Sequence, residues 1–164
     1  MIDPRERLEQ MTRVLREKGC RLTPQRLALL KIIAKSEGHP SADQIYELIK
    51  TDFPTTSLAT IYNTLNLLKE MGEVIELNFD NLGSRYDGCK PYPHPHVICV
   101  ECGQILDSEF MAMAAVSLET AQKTGYHITH YHLNFMGLCP KCQQKRQVPE
   151  IKEHKIAKDK KTPP

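Results

Sequence analysis

Two Cys-x-x-Cys pairs, Cys99 with Cys102 and Cys139 with Cys142, constrain this chain more than any other feature. Each pair presents two sulfurs from one turn, and two such turns complete the tetrahedral site that zinc prefers. Since the pairs lie far apart in the sequence, a shared ion would fix the C-terminus to an earlier hairpin. We therefore predict a structural zinc site. A rubredoxin-like iron site, redox-active pairs and unligated core cysteines are the alternatives.

Composition restricts the compartment in which the protein works. The 164 residues contain no apolar run of about 18 residues and no secretory leader, so we expect a cytoplasmic protein with no membrane segment. The cytosol keeps thiols reduced, which favours metal binding over disulfides for the six cysteines. Residues 149–164, with five lysines and three prolines, are predicted to form a disordered basic tail.

The first half of the sequence predicts helices followed by a hairpin. Apolar side chains recur at helical spacing in four segments, the first over residues 4–18. The other three have a residue suited to a helix start, and these residues are Thr23, Ser41 and Ser57. Alternating residues on both sides of a turn at Asn81, Leu82 and Gly83 predict two short strands. This order describes a winged helix-turn-helix domain over residues 1–86.

The second half predicts a smaller unit of mixed structure. Three prolines and a glycine mark residues 87–95 as a hinge. Beyond the hinge, the pattern predicts strands in "HVICV" and "QILDSE", a helix over 110–123 and a long strand over 126–136. We therefore predict a small α/β unit over 96–148 and an α+β fold class. A unit of this size needs a metal ion or a partner subunit for stability.

A second metal site is suggested by His94 and His96. Their spacing points both side chains to the same side of an extended segment. His39, Asp87 and Asp107 are the available supplementary ligands. Together the five would offer three nitrogens and two carboxylates, a set that suits Fe²⁺, Mn²⁺ or Zn²⁺. The sequence leaves open whether they converge.

The remaining histidines and cysteines are weaker candidates. His127, His130 and His132 have no acid placed to complete a metal site, so an exposed strand is the favoured interpretation. Cys20 and Cys89 lack a metal-ligand spacing, and we predict that neither binds metal. "CPKC" also fits a fragment of zinc deaminases, but the His-x-Glu that those enzymes require is missing.

Several motifs, in the same order, resemble repressors of the ferric uptake regulator family over roughly residues 8–146. They are "LTPQR", "HPSADQIY", "SLATIYNTLNLLKEMG", "SRYD", "HPHVICVECG" and "GLCPKC". The resemblance implies a homodimer that binds double-stranded operator DNA, with a winged-helix domain followed by a dimerisation domain, and no enzymatic activity. It implies structural zinc on the four paired cysteines. It also implies regulatory Fe²⁺ or Mn²⁺ on His39, Asp87, His94, His96 and Asp107.

Within that family, the chain is most similar to the peroxide-sensing branch. Asp107 stands where iron-sensing members usually have Glu. Asp87 in "SRYD" and Asn63 in "TIYNTL" stand where those members tend to have Glu and Arg. The resemblance therefore implies that hydrogen peroxide is the signal and the only small molecule that the protein acts on.

The chemistry of the peroxide-sensing branch can be carried over to this chain. In that branch Fe²⁺ promotes oxidation of a ligand histidine, and the matching positions are His39 and His94. Losing a ligand would weaken metal binding and release the operator, whereas Mn²⁺ would leave the protein repressing and insensitive. A further metal site of iron-sensing members is predicted to be missing, because its places hold Pro93, Pro95 and Tyr131.

The fourth predicted helix would read the DNA in its major groove. Thr60, Tyr62 and Asn63 are candidates for base or phosphate contacts, and Arg21 and Arg26 for backbone contacts.

Three rival functions remain on sequence grounds. The main one is a repressor that senses the level of iron without peroxide chemistry. The second is a metallohydrolase that uses His94, His96 and Asp107, although no general base is evident. The third is a zinc-ribbon interaction module without regulation.

Overall fold

Four helices form the first part of the protein, which we describe from a computed structural model covering residues 3–79, 83–108, 113–129 and 131–146. The helices are α1 Pro4–Glu17, α2 Pro24–Lys35, α3 Ala42–Asp52 and α4 Leu58–Glu70. The predicted caps Thr23, Ser41 and Ser57 are confirmed, since each side chain accepts a hydrogen bond from the first turn of its helix. Local chemistry therefore sets where these helices begin.

A two-stranded wing completes the first unit. Strands β1 Ile75–Phe79 and β2 Gly83–Asp87 pair antiparallel, with Ile75 opposite Asp87. The predicted turn at Asn81 and Leu82 lies outside the described residues. The helices and the wing enclose one apolar core, in which burial of each large side chain contributes about 1.5–3 kcal/mol. Its fully buried members include Met11, Leu15, Leu30, Ile33, Ile45, Ile61, Leu65 and Leu68.

The second unit contains both strands and helices, and the α+β fold class is confirmed. It contains β3 His96–Cys99, β4 Ile105–Asp107, α5 Met113–Thr124, β5 Asn134–Gly137 and α6 Pro140–Arg146. In its sheet, β3 lies between an antiparallel β4 and a parallel β5. The basic tail over 149–164 and the start of the helix predicted at 110 lie outside the described residues.

The long strand predicted over 126–136 is wrong. Strand β5 spans only Asn134–Gly137, and residues 126–129 and 131–133 have no strand structure. The physical reason is the partner, because β3 offers only His96–Cys99 for pairing. Tyr126 is 75% exposed, which also fits a segment without a neighbouring strand.

None of the helices in the described part of the chain combines the length and apolar character that a membrane span requires.

Candidate metal centres

Four sulfurs converge at one end of the second unit. Cys99 ends β3, Cys102 lies in the turn before β4, Cys139 precedes α6, and Cys142 lies within α6. The sulfurs of Cys102 and Cys139 are 3.7 Å apart, and all four lie within 4.8 Å of one another. A four-thiolate cluster of this size fits tetrahedral Zn²⁺.

The turn that carries Cys99 prepares its thiol for metal binding. Backbone N–H groups of Cys102 and Cys139 stabilise the thiolate and lower the pKa of Cys99 to about 6. Since the thiolate is the metal-binding form, this thiol is ready to ligate near neutral pH. The cluster thereby joins the β3–β4 hairpin to α6, a helix that the sequence did not predict.

Five further side chains meet between the two units, and we call them the regulatory cluster: His39, Asp87, His94, His96 and Asp107. One donor atom of each lies within 4.8 Å of the others. Nε2 of His39 is 3.0 Å from Oδ1 of Asp107, and Nε2 of His94 is 3.2 Å from the same oxygen. Nε2 of His94 also lies 3.3 Å from Oδ2 of Asp87. The five predicted residues therefore do converge.

Strand pairing and one loop contact bring the regulatory cluster together. His96 and Asp107 are directly opposite each other on β3 and β4. His39 lies in the loop before α3, and the N–H of Tyr86 in the wing donates to the carbonyl of Pro40 next to it, at 3.1 Å. The cluster thus takes His39 from the helical part of the first unit, Asp87 from the wing, and its other members from the hinge and the second unit.

The regulatory cluster passes a simple test for a metal site. His39, His94 and His96 each bury an Nε2 atom that has no hydrogen-bond partner in the described part of the chain. Asp87 and Asp107 each bury one oxygen in the same situation. Buried polar atoms without partners are costly, and a divalent cation would satisfy all five at once. Nitrogen and oxygen donors in this ratio fit Fe²⁺, Mn²⁺ or Zn²⁺.

The carboxylates control how the histidines titrate without metal. Burial alone lowers the pKa of His39, but the adjacent Asp107 and Asp87 carboxylates outweigh burial and raise it to about 9. At His94, burial also lowers the pKa, but the Asp107 carboxylate outweighs burial, and the pKa is raised. At His96 burial dominates and, with the neighbouring histidines, lowers the pKa to about 4. A metal ion must therefore displace at least the proton on His39.

Contacts outside the regulatory cluster orient its members. The Nδ1 atom of His94 lies 2.8 Å from the carbonyl of Tyr92, and a hydrogen bond there leaves Nε2 facing the cluster. The ammonium of Lys90 lies 3.0 Å from Oδ2 of Asp107. Sequence reasoning missed Lys90, because a lysine in a proline-rich hinge gives no signal of a partner on a later strand.

The weaker candidates stay outside both clusters. Within the described ranges, His127, His132, Cys20 and Cys89 belong to neither group of potential ligands. The structure does not describe His130. The described residues also form no third group of at least three potential ligands that includes the neighbourhood of Pro93, Pro95 and Tyr131.

The candidate DNA-contacting residues lie on or near α2 and α4. Tyr62 is 40% exposed, and Asn63 and Arg21 are also exposed. Thr60 is half-buried, and its hydroxyl lies 2.9 Å from that of Ser57. Arg26 is half-buried, and its guanidinium donates to the Arg21 carbonyl at 2.9 Å. Tyr62 and Asn63 are therefore the most accessible candidates on α4.

Comparisons with known proteins agree with this architecture. The model of the ferric uptake regulator family matches residues 17–136. The peroxide-responsive repressor PerR of Staphylococcus saprophyticus is 41% identical over 138 residues, which cover 84% of this chain and 93% of the relative.

Two solved structures have a similar fold. The Campylobacter jejuni peroxide stress regulator superposes with a TM-score of 0.64 at 34% identity, covering 82% of this chain and 98% of the other. A zinc uptake regulator complexed with zinc and DNA superposes with a TM-score of 0.65 at 25% identity, covering 90% of this chain and 99% of the other.

Proposed function

Because the chain belongs to the ferric uptake regulator family, we propose that this metal-dependent repressor detects hydrogen peroxide. The regulatory cluster carries the proposal, since it combines ligands from both units and the hinge: His39 and Asp87 from the first unit, His94 from the hinge, and His96 and Asp107 from the second unit. The aspartate at position 107 and the similarity to peroxide-responsive relatives support peroxide as the signal. Members of the family are dimeric DNA-binding regulators, and we extend homodimerisation to this chain.

The coupling between metal and DNA is a linkage effect. A metal ion that binds His39 together with His94 and His96 favours the arrangement in which the two units are held together. In a homodimer this arrangement would set the separation of two α4 helices to match two half-sites of duplex DNA. Tyr62, Asn63 and Thr60 would contact the bases or phosphates, and Arg21 and Arg26 the backbone.

The two clusters have different roles in this proposal. The four cysteines would hold Zn²⁺ permanently, because four thiolates close the coordination sphere and leave no place for another molecule. The regulatory cluster would hold an exchangeable Fe²⁺ or Mn²⁺. Only the second site would then respond to the state of the cell.

Histidine oxidation would convert peroxide into release of DNA. Bound Fe²⁺ would donate one electron to hydrogen peroxide and regain one electron when a ligand side chain is oxidised, so the metal would be unchanged in the net reaction. His39 and His94 are the proposed targets. In the net change, a ring carbon of one histidine gains an oxygen atom and hydrogen peroxide is reduced to water. The modified ring binds metal less well, so the two units separate and the operator is released.

Operator binding under anaerobic conditions tests this function. A duplex would first be selected from a random-sequence pool with the Mn²⁺-loaded protein, and its affinity then measured with Fe²⁺ or Mn²⁺ before and after micromolar peroxide. We expect peroxide to abolish binding with Fe²⁺ and to leave binding with Mn²⁺ unchanged. His127→Ala, which changes a histidine outside both clusters, should behave as the unmodified protein.

The iron-level rival predicts a different outcome in the same experiment. If Fe²⁺-dependent binding survives peroxide and disappears only when iron is removed, the protein senses iron and peroxide sensing is wrong.

A further inference from the structure

Hinge residues Cys89 and Lys90 engage one oxygen of each carboxylate in the regulatory cluster. The backbone N–H groups of Cys89 and Lys90 donate to Oδ1 of Asp87 at 2.9 and 3.1 Å. The Lys90 ammonium lies 3.0 Å from Oδ2 of Asp107. Each carboxylate therefore has one oxygen occupied and one oxygen available.

The available oxygens face the histidines. Oδ2 of Asp87 lies 3.3 Å from Nε2 of His94. Oδ1 of Asp107 lies 3.0 Å from Nε2 of His39 and 3.2 Å from Nε2 of His94. Both oxygens are buried without a hydrogen-bond partner among the described residues. The cluster thus presents one donor atom from each of its members.

We propose that Lys90 is a positioning residue that restricts Asp107 to a single metal-binding oxygen. The inference rests on the proposed function, in which a small molecule must reach the bound metal. Octahedral coordination is usual for Mn²⁺ with oxygen-rich ligands, and iron sites that activate small molecules keep open positions. Five protein donors leave one such position. Lys90 keeps the second oxygen of Asp107 from filling it.

Packing alone does not fix the Asp107 carboxylate. A cavity of about 130 Å³ lies beside it, lined by Glu37, Cys89, Lys90, Leu106 and Asp107 itself. Asp107 is 16% exposed, so its carboxylate has room to turn. The Lys90 side chain is 17% exposed, and solvent screens this ion pair less than a fully exposed one. Lys90 therefore holds Oδ2 of Asp107 away from the histidines, which face Oδ1.

Three variants test the role of Lys90. Lys90→Met removes the ammonium and keeps an unbranched side chain, whereas Lys90→Arg keeps donors for Oδ2 of Asp107. Lys123→Met is the matched control, because it removes a surface lysine paired with Glu119 on α5, away from both clusters. We expect Lys90→Met to bind Mn²⁺ with a dissociation constant within about tenfold of the unmodified protein.

X-ray absorption of the Fe²⁺-loaded proteins provides the direct readout. Lys90→Met should gain one oxygen neighbour at the iron, and its peroxide-induced release of operator should slow by about tenfold or more. Lys90→Arg and Lys123→Met should keep the original spectrum and the original rate. Lys123→Met controls for a general loss of charge, and rescue by arginine would show that a cationic donor at position 90 is enough to hold the Asp107 carboxylate.

Two results would overturn the role of Lys90. One is an unchanged iron spectrum in Lys90→Met. The other is loss of Mn²⁺ binding in that variant, because removal of Lys90 is expected to leave all five donors in place. If the unmodified protein ignores peroxide, the proposed function fails, while the iron spectrum of Lys90→Met still decides the role of Lys90.

Discussion

Among single residues, His39 has the most unusual environment. Its backbone has φ of 50°, in the left-handed region that few residues other than glycine adopt, and the residue is only 1% exposed. Both ring nitrogens are buried without a hydrogen-bond partner in the described ranges. Backbone strain and unpaired buried atoms both cost stability, and they concentrate at functional sites. A metal ion that binds the ring would offset part of this cost.

Metal binding at the regulatory cluster should weaken as the pH falls. The pKa of His39 is raised to about 9 in the metal-free protein, so near neutral pH the ring holds a proton that the metal must displace. His96, with a pKa of about 4, releases none over this range. Affinity for Mn²⁺ should therefore rise by about tenfold per pH unit for each displaced proton, up to the pKa of His39.

Calorimetry in buffers of different ionisation enthalpy measures this proton release. We expect about one proton or more to be released per Mn²⁺ near pH 7, and fewer in His39→Ala. Equal Mn²⁺ affinity at about pH 6 and pH 8 would contradict the account of the cluster.

Among the elements, α1 is connected to Glu73 and to the hinge by the buried side chain of Arg7. Arg7 is fully buried, and its Nε donates to the Gly88 carbonyl at 2.6 Å. Its guanidinium also pairs with the Glu73 carboxylate and donates to the Glu73 carbonyl. Gly88 itself is required for close packing, since a Cβ there would lie 1.8 Å from Cγ2 of Ile33. Helix α1 thus stabilises the residue next to Asp87.

Arg7→Met should destabilise the protein strongly. The substitution leaves the carboxylate of Glu73 nearly buried and without its cation, and breaking a buried pair costs about 3–5 kcal/mol. Arg5→Met, on the exposed side of α1, should change the free energy of unfolding by no more than about 0.5 kcal/mol. Urea unfolding of the zinc-loaded proteins measures both, and similar values for the two variants would show that the buried pair contributes little.

Sequence reasoning predicted the elements where the determining contacts are local. Caps at Thr23, Ser41 and Ser57 act within one turn of their helices, so the helix starts were readable. The strand predicted over 126–136 was too long, because the length of β5 is set by its pairing with β3, which is distant in sequence. The sequence also allowed the types of metal ligand to be predicted. Whether His39 converges with the other four ligands depends on how the two units pack, which the sequence does not show.

At the scale of the whole molecule, the second unit presents apolar side chains that the described residues leave exposed. These exposed side chains are Val97, Val100, Leu106, Val116, Leu118, Tyr126, Phe135 and Met136. Exposed apolar surface of this kind is typical of protein interfaces, which supports the proposed homodimer. The cysteine cluster joins β3, the following turn and α6 in the same unit. Zinc and dimerisation should therefore depend on each other.

Cys102→Ser should lose both zinc and the dimer. Structural zinc contributes about 10 kcal/mol or more to the folding of small zinc domains, so a unit this small should not keep its shape without it. Cys20→Ser removes a thiol outside the cysteine cluster and should keep both properties. Zinc analysis with light scattering measures the two together, and a zinc-free dimer of Cys102→Ser would contradict this role.

The central claim is that oxidation of a ligand histidine releases the operator, and one time course tests it most directly. Fe²⁺-loaded protein on its selected duplex is treated with ¹⁸O-labelled hydrogen peroxide, and DNA release is followed while samples are analysed by peptide mass spectrometry. We predict that the fraction of protein released equals the fraction with one added oxygen on His39 or His94 at every time. Release of the duplex without added oxygen on either histidine would contradict the claim.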